Sequence, residues 1–500
     1  PTEGYWCLYH SWNDTPDPVN EVLDFTDIQN GRAFYGWNIT REVINWYNDP
    51  GSNWGISLAA ALEGSMTSSS CANAGFASSN TTNAGARPYF VVEYRNSAGL
   101  ESYYTYQTHS IDRAGTGYIG DYSGQLTLVK NDVSSASTSN PVAINHVYNS
   151  AYSKAASSAI NAVTETYGCM GVGRGWMLDI QQAIIPGNTG YLIYFDGDGT
   201  VHYFQGSGTQ YTDEDGLGLT ITKSGTNYTL KDKKDNISYF SDGLLSYTQD
   251  ANGNKVTYVR DSDDVILSVT RQNSGGSVET IATFTYDSFG NVSTITDSAN
   301  NTTTFNYSGT DILSGVTHAD GTSVSYTYDA NGKLLSATDN ESGYSMNYEY
   351  DANTGKVKKF YEVAGGTTGA IVEAEGAFTG IQTYRYCGPD RVLGNSDDIV
   401  SHSVMDYFGR TTSSYSTNYD GTLVYGASAT AYNANTGTSA TNNRALISTQ
   451  TGVQSVNLLG YPSVEGTSNM DTAGWGFSGG GSGSIVFGKP RTGMRSVLVS

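Results

Sequence analysis

The chain has 500 residues, which is enough for several domains. Its side chains are 38% hydrophobic and only 15% charged, a composition that excludes a disordered chain. Its 26 basic and 48 acidic side chains give a net charge of −22, which argues against nucleic acid as a partner. The 38 tyrosines and 59 glycines favour β structure with many turns, and no apolar run is long enough to span a membrane.

Residues 1–98 predict a small β domain with strands near 54–58 and 87–94. This segment contains the Trp-Asn-Ile-Thr sequence at 37–40, Trp46, the segment 53–56 and the Arg-Pro-Tyr sequence at 87–89. These motifs resemble the C-terminal half of the DNRLRE domain, a β-sandwich of large bacterial surface proteins. The resemblance implies that the front half of that sandwich is missing before Pro1.

Residues 99–190 form a distinct predicted β region. Its motifs resemble, in order, the stretch that lies between a DNRLRE domain and RHS repeats in related proteins. An alanine- and serine-rich stretch at 151–166 departs from that pattern and predicts an inserted loop. The motifs that carry the resemblance lie at 103–106, 113–118, 121–126, 145–149 and 173–178.

A tyrosine-containing unit repeats within residues 191–450. Tyr286, Tyr307, Tyr328 and Tyr350 follow one another at intervals of 21, 21 and 22 residues. A fixed period of this length indicates a stacked repeat architecture. Such a chain is more often a scaffold, shell or adhesive surface than an enzyme.

Each repeat predicts a β-hairpin. Large and small polar residues alternate before the Tyr-Asp pair, which places one set on each face of a strand. The following Asp, Asn and Gly residues favour a tight turn. We therefore interpret the clearest repeat residues as structural, serving as face and turn: Tyr286, Asp287, Gly290, Tyr328, Asp329, Gly332, Tyr350, Asp351 and Gly355.

These units, with degenerate copies at 194–201, 239–245 and 405–411, resemble the RHS/YD-repeat family, which includes the teneurin-like YD repeats. The resemblance implies a continuous β-ribbon that spirals into a hollow shell. In relatives the shell can enclose a toxic C-terminal domain or form an adhesive body. The aspartyl self-cleavage motif that often follows such repeats is not found in this sequence.

Residues 451–500 look like the opening of a carbohydrate-binding jelly roll. These residues are too few to close such a sandwich, so its strand edges need pairing by further chain or by another molecule. Trp475 is the candidate for stacking on a sugar ring. The expected fold class is thus all-β, with a sandwich segment, a YD-repeat ribbon and the start of a second sandwich.

The sequence contains few motifs that point to chemistry. A GxGxxG match at 115–120 lacks the strand and helix of a dinucleotide site, and a GxSxG match at 476–480 has no histidine after it. No metal centre is predicted, because the six histidines occur singly and no CxxC is present. Ca²⁺ at the acidic turns 196–199 and 213–216 is the alternative to ordinary turns. Cys7–Cys71 is the disulfide candidate, and free buried thiols are the other interpretation.

We therefore expect part of a large secreted bacterial protein that acts outside the cell or on its surface without enzymatic activity or a cofactor. The leading hypothesis is a structural or adhesive protein that self-associates through its terminal β modules or binds other surface proteins. One alternative is an RHS shell that encapsulates and delivers a C-terminal toxin domain. Another is a surface module that binds glycans.

Overall fold

The computed structural model confirms the predicted all-β fold class. The chain divides into two compact units, Pro1–Arg95 and Asn96–Ser500. The described part of the chain contains no helix long and apolar enough to cross a membrane. The structure describes Trp37, Ile39, Val43, Trp46 and residues 4–10, 22–28, 56–60, 76–88, 99–137, 140–153, 171–187, 190–352, 354–375, 381–406, 409–422, 424–432, 445–451, 483–487 and 495–499.

The first unit contains a three-stranded antiparallel sheet in the order β2-β1-β3. Its strands are β1 (Gly4–His10), β2 (Val22–Ile28) and β3 (Ile56–Ala60). A 3₁₀ turn follows at Ala84–Ala86, where the Asn83 side chain accepts a hydrogen bond from the Gly85 N–H. This local cap supports the turn.

The second unit opens with five antiparallel strands, which we call the entry sheet. Neighbouring strands in the sheet are also neighbours in the chain. Two 3₁₀ turns, Asp112–Ala114 and Ser150–Tyr152, lie within this region. The strands are β4 (Tyr106–Ser110), β5 (Thr116–Gly120), β6 (Leu126–Ser135), β7 (Val142–Asn149) and β8 (Trp176–Leu178).

The ribbon follows, and each of its strands pairs antiparallel with its neighbours in the chain. Its first twelve strands are β9 (Ala183–Pro186), β10 (Tyr191–Phe195), β11 (Val201–Ser207), β12 (Gln210–Asp213), β13 (Thr220–Ser224), β14 (Asn227–Lys231), β15 (Ile237–Ser241), β16 (Leu244–Gln249), β17 (Lys255–Arg260), β18 (Ile266–Gln272), β19 (Val278–Tyr286) and β20 (Val292–Asp297). The remaining ribbon strands are β21 (Thr302–Ser308), β22 (Ile312–Thr317), β23 (Ser323–Tyr328), β24 (Leu334–Asp339), β25 (Tyr344–Tyr350), β26 (Val357–Ala364), β27 (Thr367–Glu375), β28 (Ile381–Tyr386), β29 (Ile399–Met405), β30 (Thr411–Asn418), β31 (Val424–Tyr432) and β32 (Ala445–Thr451).

The start of the ribbon closes on itself. Strand β9 pairs with β10 and also meets β16, where Leu244 lies opposite Ala183. The Leu245 N–H donates to the Gln182 carbonyl at 3.1 Å and strengthens that contact. Strands β9–β16 therefore form a closed ring. A core of large side chains fills it: Ile184, Leu192, Tyr194, Phe204, Tyr211, Ile221, Tyr228, Leu230, Phe240 and Leu245.

The side chains that fill the ring define the inward face of the ribbon, and the same face continues beyond it. Ser238, which shares the face of Phe240, lies opposite Thr248, and Thr248 lies opposite Val256. Val256 belongs to a second core, and Tyr258 packs against both cores. This second core joins the entry sheet to ribbon strands from β17 to β28. The entry sheet therefore packs on the inward face.

Two strands are described near the end of the chain, β33 (Gly483–Phe487) and β34 (Arg495–Val499), and they pair as an antiparallel hairpin. Most of the predicted jelly-roll segment and most of the predicted inserted loop at 151–166 lie outside the described residues. Cys387 is a free thiol whose sulfur accepts the Ile371 N–H at 3.0 Å.

Candidate functional site

The repeat turns share one hydrogen-bonding pattern, which we call the aspartate clamp. In the turn of Asp287, one carboxylate oxygen accepts the N–H groups of Phe289 and Asn291 at 2.8 and 2.9 Å. The other oxygen accepts the Asn291 side-chain amide at 3.0 Å. Six turns have an aspartate that accepts backbone N–H groups two and four residues later: Asp232, Asp250, Asp261, Asp287, Asp297 and Asp329.

The clamp explains the glycine of the repeat motif. Gly290 and Gly332, each three residues after the clamp aspartate, have φ values of 83° and 78°. Residues with a Cβ rarely adopt this conformation, so glycine fits best. Asp264 and Asn300 occupy the same position in two other turns with φ of 62°, since short polar side chains tolerate it. The turns after Asp261 and Asp297 therefore keep this geometry without a glycine.

The repeat tyrosines connect one repeat to the one before it. The Tyr307 hydroxyl donates to the Val292 carbonyl at 2.8 Å, and the Tyr328 hydroxyl donates to the Leu313 carbonyl at 2.6 Å. Burial raises the pKa of Tyr307, so the hydroxyl stays protonated and available as a donor. Tyr286 and Tyr350 make the same bond to the Ile266 and Leu334 carbonyls.

Polar contacts fix the entry sheet against the inward face. His146 is fully buried, its Nδ1 lies 2.8 Å from an Asp132 carboxylate oxygen, and its Nε2 lies 3.1 Å from the Tyr326 hydroxyl. The Trp176 indole N–H donates to the Tyr328 hydroxyl at 2.8 Å. Further bonds across this junction are Arg113–Asp339, Arg174–Asp311 and His109–Tyr348.

The inward face becomes more polar from strand β29 onwards, where the buried Ser403 hydroxyl still donates to the Asp121 carboxylate of the entry region at 2.9 Å. Tyr384, the last tyrosine of the second core, lies opposite Ser401. The next strands place Ser403, Ser414 and Ser428 opposite one another on this face. The Ser414 and Ser428 hydroxyls lie 2.7 Å apart. Strands β29–β31 therefore present a row of hydroxyl groups where β17–β28 present aromatic and aliphatic side chains.

A buried cluster of carboxylates surrounds His202 where the entry region meets the ring. Its Nδ1 lies 3.4 Å from Glu101 Oε1 and 3.3 Å from Asp215 Oδ2. Its Nε2 lies 3.3 Å from Asp196 Oδ2. Glu101, His202 and Asp215 are each no more than 5% exposed. Among the described residues, these three side chains form the one group of donor atoms close enough to share a metal ion.

The electrostatics of the cluster reflect crowded negative charge. Burial raises the pKa of Glu101 to about 7, and burial together with the charge of Asp196 raises the pKa of Asp198 to about 8. Burial alone would lower the pKa of His202, but the hydrogen bonds to Asp196 and Asp215 and the charge of Glu101 outweigh it and raise the pKa to about 11. The imidazole is therefore the cation that balances these carboxylates.

The structure relates the predicted acidic turns to each other, which sequence spacing did not reveal. Asp196 comes from the turn at 196–199 and Asp215 from the turn at 213–216, and both face His202. Asp213 instead accepts three backbone N–H groups, from Leu217, Gly218 and Leu219, as in an ordinary turn. The only signal in the sequence was the pair of acidic turns that flank one histidine.

The other predicted sites either lie outside the described residues or lack the geometry that their chemistry requires. Trp475, Cys71 and the side chain of Cys7 lie outside the described residues, so the glycan and disulfide predictions stay predictions. Gly115 follows a 3₁₀ turn and leads into strand β5 rather than a helix. The GxGxxG match therefore lacks the helix N-terminus that would bind a pyrophosphate.

The repeat region is similar to a known protein family. Residues 223–463 match the family model described as Teneurin YD-shell. No curated protein matches the sequence. The crystal structure of TcdB2-TccC3-TEV is 11% identical with a TM-score of 0.30, over 68% of this chain and 21% of that one. The Tc holotoxin pore of Photorhabdus luminescens is 12% identical with a TM-score of 0.22, over 68% and 16%. The chain thus spans about a fifth or less of those structures.

Proposed function

We propose that this chain forms the wall and one closed end of a shell that encloses a polypeptide cargo, such as a toxin domain carried for delivery. The observation that carries the proposal is the single inward face of the ribbon, which runs without interruption from the ring through the second core. The match of residues 223–463 to a YD-shell supports it.

The distribution of side chains on the inward face supports a closed end followed by a chamber. The ring is filled by its own core, and the entry sheet covers the inward face of the next strands. Beyond these, Ser414 and Ser428, which are half-buried, give the inward face a wettable surface. Hydroxyl groups interact with water as readily as with a polypeptide, so such a surface can enclose a chain without binding it tightly.

The shell is a better explanation of this arrangement than an adhesive ribbon. An adhesive protein needs binding groups on its outward surface, whereas the buried aromatic side chains of the second core lie on the inward face. The proposed role is structural and needs no catalytic group. An extracellular or cell-surface location fits the net charge of −22, because a strongly charged surface favours solubility.

Limited proteolysis of the native full-length protein, followed by mass spectrometry, tests this proposal. We expect a polypeptide segment outside the ribbon to resist cleavage while the ribbon is folded and to be digested once denaturant opens it. A segment cleaved equally fast in both states contradicts the shell. Intact mass that leaves no cargo segment, combined with self-association in light scattering, would instead support the adhesive hypothesis.

A matched pair of variants makes the test specific. Leu245→Asp places a charge in the filled ring, where Leu245 is fully buried, and an unpaired buried charge is strongly destabilising. We expect this variant to lose protection of the cargo. Leu267 lies in the same ribbon but is 44% exposed, so Leu267→Asp should keep the protection of the cargo. Equal protection in the two variants would contradict an enclosing role for the ring.

A further inference from the structure

The contacts of His202 are unusual for hydrogen bonds. Its Nδ1 faces two carboxylate oxygens, Glu101 Oε1 at 3.4 Å and Asp215 Oδ2 at 3.3 Å. Charge-assisted N–H···O bonds usually measure about 2.7–2.9 Å. A single Nδ1 hydrogen shared between these two oxygens would form a bifurcated bond that is long to both of them. His202 Nδ1, Glu101 Oε1 and Asp215 Oδ2 are therefore farther apart than in a strong hydrogen bond.

The same distances fit ligands around a metal ion. Ligands bound at about 2.0–2.2 Å in a tetrahedral site lie roughly 3.3–3.5 Å from one another. The two separations from His202 Nδ1 fall in this range, and all three donor atoms lie within 4.8 Å of one another. We propose that Glu101, His202 and Asp215 bind one divalent transition-metal ion of the Zn²⁺ type.

Asp196 contacts the other nitrogen of the His202 imidazole and can orient it towards the metal. Its Oδ2 lies 3.3 Å from His202 Nε2, on the opposite side of the ring from Glu101 and Asp215. A carboxylate at this place accepts the Nε2 hydrogen, so that the Nδ1 lone pair is directed at the metal. One imidazole with two carboxylates suits Zn²⁺ better than Ca²⁺, which prefers oxygen ligands alone.

A cavity gives the ion a route to the site. It has a volume of about 340 Å³, and Glu101, Asp196 and His202 line it together with Leu100 and Tyr194. A tetrahedral ion with three protein ligands has a fourth position, and a water molecule in this cavity can occupy it. When the ion binds, the Nδ1 hydrogen of His202 leaves as a proton.

The ion would connect segments that are far apart in the chain. Glu101 precedes the entry sheet, His202 lies on β11, and Asp215 follows β12. Binding therefore stabilises the junction of the entry region with the ring, because the ligands meet only in the folded protein. This inference does not depend on the cargo, so it can fail while the shell proposal stands.

Metal titration of the purified chain after removal of metals with a chelator tests the site. We expect one Zn²⁺ per chain by calorimetry, a rise in the midpoint of thermal unfolding, and tetrahedral Co²⁺ absorption bands when Co²⁺ replaces Zn²⁺. Absence of both the stoichiometric binding and the thermal shift overturns the proposal. Octahedral Co²⁺ bands alone also count against it.

Variants distinguish this site from exposed carboxylates, which are abundant in the chain. His202→Gln and Asp215→Asn should abolish the stoichiometric binding, and Asp196→Ala should weaken it about 10–100-fold. His402→Gln is the matched control, because His402 stacks on Tyr415 and lies 3.2 Å from the Thr417 hydroxyl. Near-ultraviolet circular dichroism shows whether each variant folds. Binding that survives in folded Asp215→Asn or His202→Gln protein overturns the assignment.

Discussion

The aspartate of each clamp accepts the hydrogen bonds that stabilise the repeat turn. Asp287 satisfies two backbone N–H groups that would otherwise need water, and it also orients Asn291. Although burial opposes the charged form slightly, the hydrogen bonds from Asn291 and the backbone outweigh it and lower the pKa of Asp287. The carboxylate is thus present in its accepting form over the whole neutral range. The Asp…Gly-Asn sequence of the repeat is therefore a hydrogen-bonding unit.

Replacement of Asp287 by alanine tests the clamp. We expect Asp287→Ala to lower the free energy of unfolding by about 1–2 kcal/mol, since the turn loses three hydrogen bonds and water replaces them only in part. Chemical denaturation measures this change. Asp263→Ala is the control, because Asp263 is an exposed turn residue whose carboxylate accepts no hydrogen bond within the described structure. Equal losses in the two variants would mean that charge alone matters.

At the scale of the strand, the period of 21 residues has a physical cause. Each tyrosine hydroxyl reaches a carbonyl within the first two residues of a strand of the preceding repeat, as in Tyr307 with Val292 and Tyr328 with Leu313. Successive hairpins are thus joined by a side-chain bond in addition to the backbone ladder. A repeat that shifted its register would lose this bond, so the tyrosines specify how hairpins align.

Removal of one hydroxyl tests the contribution of this bond. Tyr307→Phe should lower the free energy of unfolding by about 1 kcal/mol, because the Val292 carbonyl is buried and loses its donor. The measurement is equilibrium denaturation. Tyr211→Phe is a matched change in a buried ring tyrosine whose hydroxyl has no partner among the described residues, and we expect a change within about 0.5 kcal/mol. A larger effect in Tyr211→Phe would contradict this role of the repeat tyrosines.

At the scale of the whole second unit, the entry sheet and the ribbon share one core and several buried polar contacts. His109 on β4 illustrates this junction, because its Nε2 lies 2.7 Å from the Tyr348 hydroxyl of β25 and its ring stacks on Phe360 of β26. Its Nδ1 is buried without a hydrogen-bond partner in the described part of the chain. The junction therefore requires a neutral imidazole.

This requirement predicts a dependence of stability on pH. Burial lowers the pKa of His109 from 6.5 to about 4 in the folded protein. Below pH 6.5 the unfolded chain binds a proton that the folded protein resists, so the contribution of His109 to stability falls as the pH drops from 6.5 towards 4. Denaturation at several pH values should show a shallower decline for His109→Phe than for the wild type. Parallel pH profiles of the two proteins would contradict the prediction.

The sequence predicts the ribbon better than the places where the ribbon meets other segments. The all-β class and the hairpins follow from local signals, namely alternation before Tyr328 and the Asp-x-x-Gly turn after it. The bond from Tyr328 to Leu313 and the approach of Glu101 to His202 depend on how strands stack, which periodicity does not encode. The sequence therefore predicts an isolated histidine at His202, whereas in the fold this side chain lies between three carboxylates.

The pairing of each ribbon strand with its neighbours in the chain has a consequence for how the protein acquires its structure. Contacts between residues that are close in sequence form quickly, because little loop-closure entropy is lost. A hairpin of this ribbon can therefore form as soon as its own residues and those of the preceding hairpin are available. The entry sheet precedes the ribbon in the chain, so we expect it to be present before the strands that cover it. We thus expect the second unit to fold in one direction along the chain during synthesis.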